Sequence, residues 1–124
     1  MLFRSGASST SAAQKILQPL LTGAERPTAI LASDSRIALE IFRAAKRAGL
    51  RIPDDLSLIT FDDADWTSAL DPAVTVVSQP TYELGQTAAD MLITRMRDGA
   101  ASPERRQLRA TLVLRNSVRE RPYC

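Results

Sequence analysis

Apolar residues recur along the chain in two rhythms, and the changes of rhythm mark its elements. A small, polar stretch at 5–11 reads as a flexible entry, after which Ala12, Ala13, Ile16, Leu17, Leu20 and Leu21 sit at helical spacing. Pro19 interrupts that pattern. It has no N–H and crowds the carbonyl four residues back, so it predicts a kink or a final short turn closed by Gly23. Residues 28–32 (TAILA) form a short apolar run of strand type. Ser33, Asp34 and Ser35 then supply caps for a helix through residue 48. Its Ile37, Ala38, Ile41, Phe42, Ala45 and Ala48 follow the i, i+3, i+4, i+7 rule, Lys46 and Arg47 complement the dipole in the last turn, and Gly49 ends it. After a turn at Pro53, Asp54 and Asp55, residues 56–61 (LSLITF) read as a second strand. Strand, four-turn helix, tight return and strand is a βαβ unit, so the two strands should be parallel and the class α/β.

A short helical or irregular piece at 65–70 leads to a third strand at 74–77 (VTVV). A second amphipathic helix follows at 81–97, with Leu84, Ala88, Met91, Leu92 and Met96 on one face and Gly99 at its end. Met91 and Met96 read as core. A polar loop at 99–106, an alternating strand at 108–114 and a polar tail from 116 complete the chain. There is no internal repeat and no heptad pattern.

Composition narrows the chemistry. The 124 residues suit one globular domain, and sixteen Lys plus Arg against fourteen Asp plus Glu leave a charge of only +2. Fourteen of the sixteen are Arg, yet among these only Arg105 and Arg106 adjoin, so no basic stripe tracks a phosphate backbone and no direct nucleic-acid contact is expected. With no His and one Cys, at position 124, there is no His/Cys metal cluster, no Ser-His-Asp or Cys-His catalysis and no intramolecular disulfide. No enzyme activity, metal or cofactor is expected. No apolar run is long enough to span a membrane, and residues 1–10 lack the apolar core of a secretory signal, so a cytoplasmic protein without membrane contact is expected.

In open α/β sheets, ligands bind outside the carboxyl ends of the strands. Ser33 and Asp34 follow the first strand, and Phe61, Asp62 and Asp63 follow the second. Gln79 follows the third. Asp62 is the sharpest candidate, because a carboxylate there can accept hydrogen bonds from neighbouring hydroxyls of a sugar or nucleoside. Asp63 is assigned to capping the short helix that starts near Ala64, and Asp34 to capping first and ligand contact second. Phe61 could lie flat against a ring or belong to the core. Trp66, the only Trp, lies in a polar context and suits an interface or a stacking role.

Three segments in order, RPTAILASDSRIALEIFRAAKRAGLRIPDDLSLITFDDADW, LDPAVTVVSQPTYELGQTAADMLITRM and LVLRNS, closely resemble the C-terminal part of the effector-binding domain of LacI/GalR-family transcriptional regulators. The resemblance runs over about residues 11–121, leaving 1–10 as an entry segment and 122–124 as a tail. It implies an incomplete, parallel-sheet, periplasmic-binding-protein-like type I fold: part of a two-lobed sensor whose ligand, a sugar or nucleobase, modulates DNA binding by a module absent from this chain. It also implies a homodimer. The Asp of the family's FDD-type motif contacts the effector, which carries over to Asp62 with Phe61 beside it. Where the family commonly has Asn-Asp this chain has Ser33 and Asp34, and where it often has Gly before the FDD motif this chain has Thr60, which argues for ordinary strand backbone. In the family the 81–97 helix packs on strands this chain lacks. Here it should therefore self-associate or fold back on its own sheet. Two other readings are a fragment of a periplasmic sugar-binding protein of a transporter and a receiver-type phosphotransfer domain. The latter needs a late Lys, and none follows Lys46.

Overall fold

A computed structural model of the chain describes residues 10–99 and 103–120. Residues 1–9 of the expected entry segment, 100–102 of the expected loop and the 122–124 tail lie outside the described residues.

The elements run α1 (Thr10–Thr22), β1 (Ala29–Ala32), α2 (Ser35–Arg47), β2 (Ser57–Phe61), α3 (Asp65–Ala69), β3 (Thr75–Ser78), α4 (Thr81–Asp98) and β4 (Thr111–Val113). Helix α1 begins at Thr10, inside the stretch expected to be flexible, and carries Pro19 within it. The missing Pro19 N–H leaves the Lys15 carbonyl without its helical partner. Gly23 closes the helix by donating to the Pro19 carbonyl at 3.1 Å.

Helix α2 forms as its pattern predicts. The Asp34 carboxylate accepts from the Ile37 N–H at 2.9 Å, and Gly49 leaves the helix at φ 71°. Its apolar stripe of Ala38, Ile41, Phe42 and Ala45 is buried. Helix α2 packs on β1 and β2, and α1 packs on α2. Leu17, Leu21, Ile41, Phe42, Leu56, Leu58 and Val74 form the centre of the core. Each such side chain contributes roughly 1.5–3 kcal/mol by leaving water.

The sheet has the order β1-β2-β3-β4. The expected βαβ pairing is present: β1 and β2 are parallel, with Ala32 opposite Thr60. Strand β3 also runs parallel to β2, with Phe61 opposite Val77. Strand β4 is antiparallel to β3, so the sheet is mixed and predominantly parallel. Thr60 is fully buried within β2 and takes ordinary strand backbone. Because side chains alternate across a strand, Leu58 and Thr60 face α2 while Ile59 and Phe61 share the other face with Leu31. That face is open, and Leu31 is 59% exposed.

Three expectations need correction. Helix α4 does not fold back on the sheet: none of its residues is buried, and Leu92 and Met96 are 60% and 75% exposed. Met91 and Met96 are therefore not core at all; their spacing encodes an apolar face, and the described residues provide nothing to cover it. Residues 116–119 are more than a polar tail. Ser117 is fully buried between the starts of β2 and β3: its carbonyl accepts from the Leu58 N–H at 2.9 Å, and its hydroxyl oxygen accepts from the Thr75 N–H at 2.8 Å and donates to the Leu58 carbonyl.

Candidate functional site

Three parallel strands deliver their following residues to one rim. Ser33 and Asp34 leave β1, Asp62 and Asp63 leave β2, and Gln79 leaves β3. Neighbouring strands lie about 4.8 Å apart, so these residues lie side by side. The parallel pairing of β3 with β2 brings Gln79 to the same end of the sheet as Asp62.

Asp62 stands at φ 69°, the one positive φ at a non-glycine residue among the described residues. Short polar side chains tolerate this left-handed region better than most. Its N–H still extends the ladder, donating to the Val77 carbonyl at 3.1 Å, while the turn of the backbone releases the chain from the sheet. The Gln79 amide nitrogen donates to Asp62 Oδ1 at 2.7 Å. Among the described residues that is the only bond to the Asp62 carboxylate, so Oδ2 and the second Gln79 N–H remain available at the rim.

Asp63 does not cap α3, whose first turn lacks a side-chain cap, with Ala64 at the N-cap. It instead meets the Arg115 guanidinium in a two-pronged pair, Nη1 to Oδ1 at 2.9 Å and Nη2 to Oδ2 at 2.8 Å. The Thr67 hydroxyl lies 2.7 Å from the same Asp63 Oδ1. The bonds from Arg115, then Thr67, hold the Asp63 carboxyl below its usual range against a smaller opposing effect of desolvation. Two adjacent carboxylates thus have different partners: both oxygens of Asp63 are engaged by Arg115, while Asp62 keeps one oxygen open.

The other candidates are placed less sharply. Asp34 is half-buried, and one of its oxygens serves the α2 cap. Ser33 is exposed. Phe61 is half-buried on the open face of the sheet and stands outside the core cluster. Trp66, on α3, is half-buried and packs partly against the core, which leaves some of its ring in solvent. Gln79 was visible in the sequence only as a polar residue after a strand. Arg115 follows directly on the run at 108–114 that alternates like a strand and carries no local sign of its partner, since 52 residues of sequence separate it from Asp63.

Two surface concavities lie away from this rim. One, of about 100 Å³, sits between α1 and α2, and the other, of about 400 Å³, lies along α4 and the 104–106 stretch. Among the described residues there is no cluster of metal-ligating side chains and no helix long and apolar enough to cross a membrane.

A parallel α/β unit with polar residues gathered at the carboxyl ends of its strands is the half-site architecture of a periplasmic-binding-protein-like sensor. The chain belongs to that family: residues 3–118 match the periplasmic binding protein-like domain. Its relatives are LacI-family repressors. The probable opine utilization operon repressor of Rhizobium rhizogenes is 46% identical over 103 residues, which are 82% of this chain and 52% of the repressor. The HTH-type transcriptional repressor CytR of Escherichia coli K12 is 37% identical over 111 residues, 90% of this chain and 33% of CytR. The chain thus spans about half the length of one relative and a third of the other. Among solved structures, a LacI family transcriptional regulator from Enterococcus faecium with bound ribose superposes with a TM-score of 0.78 at 31% identity, covering 90% of this chain and 41% of the regulator.

Proposed function

We propose that this chain is the C-terminal part of the effector-binding domain of a LacI-type transcriptional regulator and that it contacts a small carbohydrate effector at the rim formed by β1, β2 and β3. It acts by binding and performs no catalysis. Operator binding is the task of a helix-turn-helix outside these 124 residues, and the working protein is a cytoplasmic homodimer. The repressor relatives favour this over a transport role.

The observation that carries the reading is the Asp62–Gln79 pair. A carboxylate oxygen beside an amide N–H offers an acceptor and a donor within one small arc, which suits two adjacent hydroxyls of a sugar. Ser33 and Asp34 extend the polar rim from β1. Phe61 lies on the sheet face beside it and gives an apolar surface for a ring. The ribose held by the Enterococcus faecium regulator supports a sugar as the effector class. Trp66, with part of its ring in solvent, serves a contact between lobes or protomers.

The test is a thermal-shift screen of pentoses, hexoses and nucleobases against the chain and against Asp62→Asn. Asparagine accepts the left-handed backbone that alanine would strain, so the substitution removes charge without disturbing the turn. A sugar should stabilise the parent chain and lose its effect on D62N. A ligand that stabilises both equally would remove Asp62 from the site.

A further inference from the structure

We propose that Arg115 is a positioning residue for Asp62: its guanidinium grips the turn that follows β2 and so holds the rim carboxylate where a ligand can use it. The proposal rests on the reading of Asp62 as the effector contact.

One guanidinium here makes four hydrogen bonds to three partners. Besides the two-pronged pair with Asp63, Nη1 reaches the Thr67 hydroxyl at 2.9 Å and the Val74 carbonyl at 3.0 Å. Its side chain is only 17% exposed, the most enclosed cation in any ion pair among the described residues. The arginine also has a firm base. Its own N–H donates to the Thr75 hydroxyl at 3.0 Å, the next N–H, of Asn116, donates to the Ala73 carbonyl, and Ser117 is locked between β2 and β3. The guanidinium therefore projects from a backbone fixed to the sheet towards a turn that has less to hold it.

That turn needs holding. Asp62 carries a left-handed backbone at a residue with a Cβ, a conformation that persists only when its surroundings impose it. From one side the Val77 carbonyl and the Gln79 amide hold Asp62 itself. From the other, the residue directly after it, Asp63, is fixed by Arg115. Withdrawal of the arginine frees one end of the turn, so the Asp62 carboxylate loses its bearing and its bond from Gln79. Lysine cannot substitute fully, because a single ammonium does not reproduce the planar two-pronged geometry.

The test uses the whole chain and reads the turn directly by ¹H–¹⁵N NMR of Arg115→Met, Arg115→Lys and Asp63→Asn. In R115M, the Asp62 amide, the Gln79 side-chain amide and the indole signal of the only Trp should leave their parent positions, while amides of β1 and α2 keep theirs. R115K should move the same signals less, and D63N should move them as R115M does. A merely structural arginine would lower stability without displacing this particular set. Asp62 and Gln79 signals unchanged in a folded variant would overturn the proposal. If R115M does not fold, R115K and D63N carry the same decision. D-ribose titrated into the same samples gives a second reading, with affinity in R115M weaker by roughly tenfold, about the worth of one charged hydrogen bond. Should ribose bind none of the chains, the choice of sugar fails while the NMR displacement still decides the role of Arg115.

Discussion

Ser117 is a small residue in a stretch composed like a solvent-exposed tail, and it is completely buried. Its hydroxyl serves as donor to the Leu58 carbonyl and acceptor for the Thr75 N–H, so Ser117→Ala removes a partner from both backbone groups without opening space for water. Leaving a buried polar group unsatisfied costs about 1–3 kcal/mol. Urea unfolding of S117A should therefore show a loss of about 2 kcal/mol, and a loss under about 0.5 kcal/mol would mean that the two groups find other partners. The same residue shows where sequence reading stops. Hydrophobic periodicity locates side chains that leave water, but Ser117, Arg115 and Gln79 act through hydrogen bonds to residues far along the chain, and no local pattern encodes such a partner. Asp62 and Asp63 make the point at closest range. Their position after a strand marks the rim, but nothing local says that Asp63 pairs with Arg115 while Asp62 keeps an oxygen open.

At the scale of elements, α2 and α4 both carry an apolar face at helical spacing, sharper in α2, and have opposite fates. Ile41, Phe42 and Ala45 of α2 pack on the sheet, whereas Leu84, Leu92, Ile93 and Met96 of α4 remain exposed. The pattern specifies that a face is apolar but not what packs on it; this is why the helix was legible and its packing was not. The βαβ unit was fully legible because both its strands and its covering helix lie within 35 residues of continuous sequence. Helix α4 has no side-chain cap at Pro80, though Arg95, Arg97 and Gly99 finish its other end well. Without tertiary burial, an 18-residue helix is held by little more than its own backbone bonds. Hydrogen exchange of the chain in dilute solution should accordingly release α4 amides orders of magnitude faster than those of α2, whose opening approaches global unfolding. Equal protection in the two helices would show that the α4 face is covered in solution.

At the scale of the whole molecule, the proposed effector contact is one-sided. Ser33 and Gln79 are exposed and Asp34, Phe61 and Asp62 half-buried, so a ligand resting on them keeps its far side in water, whereas sites that bind small molecules tightly enclose most of the ligand surface. Hydrogen bonds to charged groups contribute about 1.5–3 kcal/mol net and those to neutral groups about 0.5–1.5 kcal/mol. One bond to Asp62 and two to neutral partners at the rim therefore sum to about 4 kcal/mol, equivalent to a Kd of about 1 mM. The 124-residue chain should bind its sugar in that weak range, with the Asp62 amide among the signals that move in an NMR titration. At a sugar concentration ten times the Kd, the fold gains about 1.4 kcal/mol, enough to register as a thermal shift. A Kd at or below about a micromolar would need roughly twice that binding energy. Such a value would mean that a second surface closes over the rim in the isolated chain, and sedimentation at the same concentration would then show whether a second copy supplies it.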